Sequence, residues 1–168
     1  MQQKALGLAL QAAAKRRPAL LALLTATSVW LLANQAEAWA GGGHLGLNLD
    51  DGNIHIGGDL LFPLVDVSPN VRLSIWPSLA YVFIDGGHDV VLFGADFPFE
   101  FRIANSILAP FVGPGLGLAV QHEAALKLNV IGGTFIDVGD RVRLFAELAL
   151  RFVRHTYVDL LFGVLIEL

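Results

Sequence analysis

From residue 40 to the last residue, apolar side chains alternate with polar or small ones, and turn residues separate the alternating segments. Successive side chains of a β-strand point to opposite faces, so strict alternation is typical of a strand with two chemically different faces. Pairs such as Asp51-Gly52 are favoured in hairpin turns. The pattern predicts eight antiparallel strands, over residues 40–50, 53–65, 71–84, 89–103, 107–121, 124–137, 141–154 and 156–168.

Except at strand ends, one face of every predicted strand is free of charged residues. In the first strand, Leu45, Leu47 and Leu49 share this apolar parity, whereas His44 and Asn48 lie on the other. The charged parity of the later strands holds Asp59, Arg72, Asp96, Glu100, Arg102, Arg143, Glu147, Arg151, Asp159 and Glu167. These polar groups are too few, and too mixed with Gly, Ala and Phe, to form a solvated exterior. We therefore expect the apolar face to contact lipid and the charged face to line the lumen.

The composition agrees with a membrane protein that crosses the bilayer with strands. The chain of 168 residues is 55% hydrophobic and 15% charged, and its mean hydropathy is +0.61. After residue 40 no run of apolar residues is long enough for a transmembrane helix. A closed barrel is the other structure that satisfies every backbone hydrogen bond in lipid. A soluble β-sandwich or a lipid-binding barrel remains the alternative.

Charge and cysteine content exclude several functions. The formal net charge of −4 gives no basic footprint for nucleic acid. The absence of cysteine excludes disulfides, thiolate metal sites and cysteine nucleophiles. We expect no cofactor.

Residues 1–40 have the order of a secretory signal peptide. Lys4 and the basic group at residues 15–17 precede an apolar stretch, and small residues follow at two overlapping cleavage sites. We expect cleavage after Ala38 or after Ala40, and residues 41–168 form the predicted barrel. The apolar stretch is somewhat long, so an uncleaved inner-membrane anchor is the alternative.

The predicted turns also predict which inward residues face one another. Inward side chains must lie opposite inward side chains across each hairpin, and buried charges need partners of opposite sign. A two-residue turn at Asp51-Gly52, a turn centred on Gly86 and a turn centred on His155 predict five opposite pairs: His44 with Asp59, Asn48 with His55, Arg72 with Glu100, Arg151 with Asp159, and Arg143 with Glu167.

Small residues and prolines give two further expectations. Gly113, Gly115 and Gly117 lie on the inward parity of the fifth strand, where they would make room for bulky side chains such as Lys127, Asn129 and Ile131. Pro77 and Pro114 fall in mid-strand, where the missing N–H weakens a closed sheet. We expect bulges or local breaks at these two prolines.

The eight-strand pattern with an export signal resembles the small outer-membrane β-barrels of Gram-negative bacteria, the group similar to the barrel domain of outer membrane protein A. Gly163, Ile166 and Leu168 have the spacing of that family's C-terminal assembly signal, although the family usually ends on an aromatic residue. The resemblance implies outer-membrane lipids as surroundings, insertion by the barrel assembly machinery, and periplasmic termini. The turns near residues 51, 86, 122 and 155 would then face outward from the cell.

A structural or interaction role as a monomer is the function we expect, because eight strands leave an interior that side chains can fill. A narrow pore or small apolar-solute conduit along the glycine-rich fifth strand is the first alternative. A lipid-modifying enzyme is the second, with Ser74 or Ser78 approaching His55 and Asp59 from the neighbouring strand. His44 could join His55 in binding a metal, but spacing sets no third ligand.

Overall fold

A computed structural model describes residues 39–84, 90–121, 123–153 and 155–168. These residues form nine β-strands: β1 (Ala40–Asn48), β2 (Ile54–Ser68), β3 (Val71–Phe83), β4 (Val90–Asp96), β5 (Phe99–Phe101), β6 (Leu108–Val120), β7 (Ala124–Asp137), β8 (Val142–Phe152) and β9 (Thr156–Glu167). The predicted turn residues 85–88 and His122 lie outside the described residues, as does the predicted signal peptide up to residue 38.

The strands form a closed antiparallel ring in which each strand pairs with its neighbours in sequence. β1 pairs with β2 on one side and with β9 on the other, which closes the ring. β4 and β5 both lie between β3 and β6, so they are two pieces of one barrel strand. The predicted eight-stranded up-and-down barrel is confirmed. A closed ring leaves no free edge, so its backbone donors and acceptors are paired within the sheet.

The described residues contain no helix that is both long and apolar enough to cross a membrane.

The two faces of the sheet differ as the sequence predicts. His44 is 5% exposed and points into the ring, whereas its neighbour Leu45 is 59% exposed on the outside. β6 shows the same alternation, with Ala109 and Phe111 buried between exposed outward positions. The outward parity of the strands carries large apolar side chains and no charged one in the part of the barrel described. An apolar band of this extent is typical of a surface that contacts lipid.

The predicted register of the β1–β2 hairpin is wrong by two residues. His44 lies opposite Gly57 and Gly46 lies opposite His55. The connection is longer than a two-residue turn because the Asn48 side chain organises it: Asn48 Oδ1 accepts hydrogen bonds from the backbone N–H groups of Asp50 (3.0 Å) and Asp51 (2.8 Å). Gly52, at φ 72°, completes the loop in a conformation that favours glycine.

The β8–β9 register is also shifted by two residues from the prediction. Arg151 lies opposite Tyr157, and Arg143 lies opposite Leu165. Phe152 lies opposite Thr156, whereas a turn centred on His155 would have placed it opposite Val158. The register predicted from Gly86 is correct, since Arg72 lies opposite Glu100.

Prolines interrupt the sheet, but not where we expected a bulge. Pro77 and Pro114 lie within paired strands without a register shift. The barrel strand instead breaks at Phe97-Pro98, between β4 and β5, and the β2–β3 register shifts after Pro63. The break lies beside Pro114, whose carbonyl accepts the Phe97 N–H at 2.8 Å. Pro98 and Pro114 therefore lie in the same irregular patch of the wall.

Gly113→Ala should destabilise the barrel, because a Cβ at Gly113 would collide with the backbone carbonyl of Phe97. Backbone cannot move aside as a flexible side chain can, so we expect a loss of about 1–3 kcal/mol in the free energy of unfolding. Gly132→Ala is the matched control, since a Cβ there would meet only the Phe111 carbonyl at 3.9 Å. Urea titration in detergent measures both, and equal midpoints would contradict this packing.

The two predicted cleavage sites differ in which contacts of the barrel they preserve. Leu168 donates its N–H to the Trp39 carbonyl at 3.0 Å, Trp39 stacks on Phe62 with ring centroids 6.1 Å apart, and Ala40 begins β1. Cleavage after Ala38 keeps these contacts, so we predict that the mature chain begins at Trp39. The intact mass of the purified barrel checks this, and a chain that begins at Gly41 would contradict it.

Candidate functional site in the barrel interior

The interior contains an aromatic layer that the charge pattern did not predict. Trp76 packs against Phe111, Phe135 and Phe145, with ring centroids 5.5, 5.4 and 4.8 Å apart. All four side chains are at most 3% exposed. The same buried cluster includes Ala40, Leu61, Ala109, Ile131, Ala149, Leu161 and Leu165. The expectation of a polar, charge-paired interior is therefore wrong for this part of the lumen, where apolar packing replaces charge pairing.

A buried polar chamber lies between the aromatic layer and the end of the barrel that carries the turn at residues 49–52. Five members of the predicted charge network are buried there: Asp59, Asp96, Glu147, Arg151 and Asp159. All of them except Asp159 line a cavity of about 10 Å³, whose lining also includes His44, Ser78 and Lys127. That volume is about enough for one water molecule, so the chamber is filled almost entirely by its own side chains.

Most side-chain contacts in the chamber join residues that are not directly opposite each other, and Asn48, which lies opposite its partner Asp159, is an exception. Arg151 forms an ion pair with Asp159 although Tyr157 is its opposite residue. Three hydrogen bonds join other groups: His44 Nδ1 with Asp59 Oδ2 at 2.7 Å, Asn48 Nδ2 to Asp159 Oδ1 at 3.0 Å, and Asn129 Nδ2 to Asp96 Oδ1 at 2.8 Å. Two predicted partnerships thus occur, His44 with Asp59 and Arg151 with Asp159, but through a different register.

Glycines create the space for the two histidines. His44 and His55 each lie opposite a glycine, Gly57 and Gly46 respectively, and a Cβ at either glycine would collide with the imidazole ring. The two rings approach with centroids 5.6 Å apart. In the chain as described, no group of three or more His, Cys, Asp or Glu side chains has the geometry to hold a metal ion.

The inward glycines of β6 likewise make room for larger side chains. Gly115 and Gly117 lie opposite Asn129 and Lys127. A Cβ at Gly115 would collide with the Asp96 carboxylate, and one at Gly117 would lie 3.1 Å from Lys127 Cε. The expected space is therefore present, and side chains occupy it.

On the other side of the aromatic layer, the lumen opens into a cavity of about 360 Å³, which we call the inner vestibule. Arg143 marks its boundary with the aromatic layer, because the guanidinium carbon lies 4.8 Å from the centroid of the Phe135 ring. Arg143 Nη2 and Nη1 donate to the two carboxylate oxygens of Glu100 at 2.9 and 3.3 Å, and Nε donates to Asp137 at 2.6 Å.

The remaining members of the predicted network lie around this vestibule. Arg72 and Arg102 donate to the same oxygen of Asp66, at 2.9 and 3.3 Å. Glu167 also lines the cavity and is exposed. The network thus divides into two groups, one buried in the chamber and one at the open mouth, with the aromatic layer between them.

Asp66 and Asp137 are charged partners that the predicted network lacks. The alternation predicts that the second strand ends at residue 65, which places Asp66 in the following turn. β2 continues to Ser68, and the register shift after Pro63 brings Asp66 opposite Arg72. Asp137 lies on the inward parity at the end of its strand and opposite Arg143, a signal that the sequence alone contains.

The candidate serines lie at different places. Ser78 is opposite Asp59 and lines the chamber, where the histidine bonded to Asp59 is His44 and not the expected His55. Ser74 is 1% exposed, and its N–H donates to the Pro98 carbonyl at 3.1 Å.

No protein-family model matches the sequence, and no curated protein gives a significant match. Solved structures do resemble the fold. The N-terminal β-barrel domain of Pseudomonas aeruginosa OprF is similar with a TM-score of 0.60 and 15% identity, over 79% of this chain and 98% of that one. Neisserial surface protein A (NspA) is similar with a TM-score of 0.57 and 13% identity, over 77% and 95%.

An enzyme also shares this architecture. The outer membrane enzyme PagL is similar with a TM-score of 0.50 and 13% identity, over 77% of this chain and 98% of that one. At such identities the likeness establishes architecture and not activity, because one fold can carry unrelated functions. The chain therefore has the fold of the small outer-membrane β-barrels.

Proposed function

We propose that this protein is a structural barrel of the outer membrane whose lumen is closed to ions and solutes. The observation that carries the proposal is the aromatic layer around Trp76, which crosses the lumen between the polar chamber and the inner vestibule. An eight-stranded barrel has an interior just wide enough for side chains to fill. In this barrel the rings of the aromatic layer fill the middle of the lumen.

The outward surface supports the membrane location. Lysine or arginine on the lipid-facing side near the bilayer centre costs about 2–4 kcal/mol, and the described outward strand positions are free of both. Lipids are therefore the partners of this face, and the apolar C-terminal residues of β9 suit recognition by the barrel assembly machinery. We propose that the protein acts as a monomer, since its closed sheet has no free edge with which a second copy could pair.

The pore reading has less support. The inward glycines of β6 do not leave a conduit, since the Phe97 carbonyl, the Asp96 carboxylate and Lys127 occupy the space beside them. Lys127 and His55 are each 1% exposed, so the chamber is covered toward its own mouth as well. A path for ions would need rearrangement at both places.

The wild-type protein should give no stable open level in planar-bilayer recordings. In a Lys127→Ala background, which uncovers the chamber, Trp76→Ala should introduce ion conductance, because it removes the ring that contacts all three phenylalanines. Trp39→Ala in the same background is the matched control, since Trp39 stacks on Phe62 and takes no part in the aromatic layer. A stable open level in the wild type, or the same conductance in both variants, would contradict a lumen closed at Trp76.

Membrane location has its own test in heat-modifiable gel migration. A folded transmembrane barrel survives detergent without boiling, because its backbone hydrogen bonds are internal. We expect the protein in the outer-membrane fraction, with different mobility before and after boiling. Recovery from the soluble periplasmic fraction would refute the location.

Acyl transfer or hydrolysis is a second candidate, favoured by the hydrogen bond between His44 and Asp59 beside Ser78. A serine, a histidine and an aspartate are the groups of a nucleophilic site. The chamber of about 10 Å³ does not admit an ester substrate, so we propose that the protein is not an enzyme.

Ser78→Ala should accordingly leave the lipid A profile of cells unchanged, as should His44→Ala. Mass spectrometry of extracted lipid A compares each variant with the wild type at equal barrel content. A change that appears in both variants would favour the catalytic reading.

A further inference from the structure

The inner vestibule has the form of a ligand pocket, a property that the proposed structural role does not require. Its volume of about 360 Å³ lies at the lower end of the range of small-molecule pockets, about 300–1,000 Å³. One end is blind, because Arg143 lies over Phe135 of the aromatic layer. The vestibule therefore ends inside the barrel and does not lead into a channel.

Charges of opposite sign lie on different sides of this pocket. Arg72 on β3 and Arg102 just after β5 supply positive charge. Asp140, between β7 and β8, and Glu167 on β9 supply negative charge. The order of the strands around the ring separates the two arginines from the two carboxylates.

Arg143 on β8, the strand between Asp140 and Glu167, pairs with Glu100 on β5, and the pair forms a fixed part of the wall. Glu100 also lies 3.8 Å from Arg102 Nε. Arg143 donates to both oxygens of Glu100 and to Asp137, a two-pronged geometry that is among the stronger polar contacts in proteins. These three residues satisfy one another. A ligand would therefore meet a firm wall here, and its charged groups would find partners on the two sides of the pocket.

Hydrogen-bond donors on the arginine side and acceptors on the carboxylate side remain available to a ligand. The side chains of Arg72 and Arg102 are 32% and 35% exposed, and both bond the same oxygen of Asp66. Each guanidinium has five N–H donors, most of which this contact does not use. Among the described residues, Asp140 and Glu167 take part in none of the ion pairs found.

We propose that the inner vestibule binds a zwitterionic group, with a phosphate or carboxylate on the arginine side and a primary ammonium on the side of Asp140 and Glu167. Such a group occurs in free small molecules and in the headgroups of zwitterionic lipids. Both sources can reach the pocket, because it lies at the mouth of the barrel. An ammonium with N–H donors suits the carboxylates better than a quaternary one, which donates no hydrogen bond.

The test is an NMR titration of the folded barrel in a non-ionic detergent. O-phosphoethanolamine and glycylglycine are the zwitterionic probes, and inorganic phosphate and ethanolamine carry one half of the charge pattern each. We expect saturable shifts of the backbone amides around the vestibule with at least one zwitterion, and weaker binding of both single-charge probes.

Variants locate the binding. Arg102→Gln and Glu167→Gln should each weaken binding of the zwitterion about tenfold, the usual effect of losing one charge-assisted hydrogen bond. Asp51→Asn, in the turn at the opposite end of the barrel, is the matched control and should leave binding unchanged. Heat-modifiable migration of each variant verifies that it is folded.

Nanodiscs distinguish the two sources. If a lipid headgroup is the ligand, ethanolamine lipids should shift the vestibule amides relative to choline lipids, and soluble phosphoethanolamine should add little. If a free molecule is the ligand, the soluble probe should titrate equally in both lipids. Phosphate that binds as tightly as the zwitterions, Glu167→Gln without effect, or no saturable shift in any medium would overturn the proposal.

Discussion

Backbone N–H and C=O groups find no water partners inside a bilayer, so a strand that crosses it must be paired on both sides. In this chain the pairing of β1 with β9 meets that requirement, because it turns a row of hairpins into a ring. Closure has a second consequence. A ring of eight strand positions encloses a narrow space, and each inward side chain must either pack there or find a polar partner.

The interior meets this second requirement in different ways along its length. Around Trp76 the interior is filled with aromatic rings. The indole N–H of Trp76 is the only group of these rings that calls for a polar partner. In the chamber, charged and amide side chains supply one another with hydrogen bonds, and glycines such as Gly57 make the room. At the inner vestibule the charges are accessible, so water or a ligand can complete their bonding. A single fold thus combines a sealed region with an accessible one.

Much of this arrangement could be predicted from the sequence. Period-two alternation sets which residues face inward, and that assignment holds for Asp59, Asp96, Glu147 and Arg151. The register of the paired strands was harder to predict, because it depends on the conformation of the loops between them. Asn48 Oδ1 accepts hydrogen bonds from the backbone N–H groups of Asp50 and Asp51, and this local contact shifts the register of the β1–β2 hairpin by two residues.

The aromatic layer and the division of the charges could not be predicted in the same way. Trp76, Phe111, Phe135 and Phe145 share the inward parity with charged residues, but four strands must close before their rings can meet. The charge pattern alone predicts that the inward face is one polar surface. Asp66 shows the same limit, since only the register shift after Pro63 brings it opposite Arg72.

A lumen that is sealed beside its inner vestibule is tested most directly by the accessibility of introduced thiols. The chain contains no cysteine, so one introduced cysteine is the only thiol. Ala149 is 0% exposed within the barrel, whereas Ser106 lines the vestibule. We predict that a membrane-impermeant maleimide labels Ser106→Cys in the folded protein and labels Ala149→Cys only after unfolding. Equally fast labelling of both folded variants would contradict a sealed lumen.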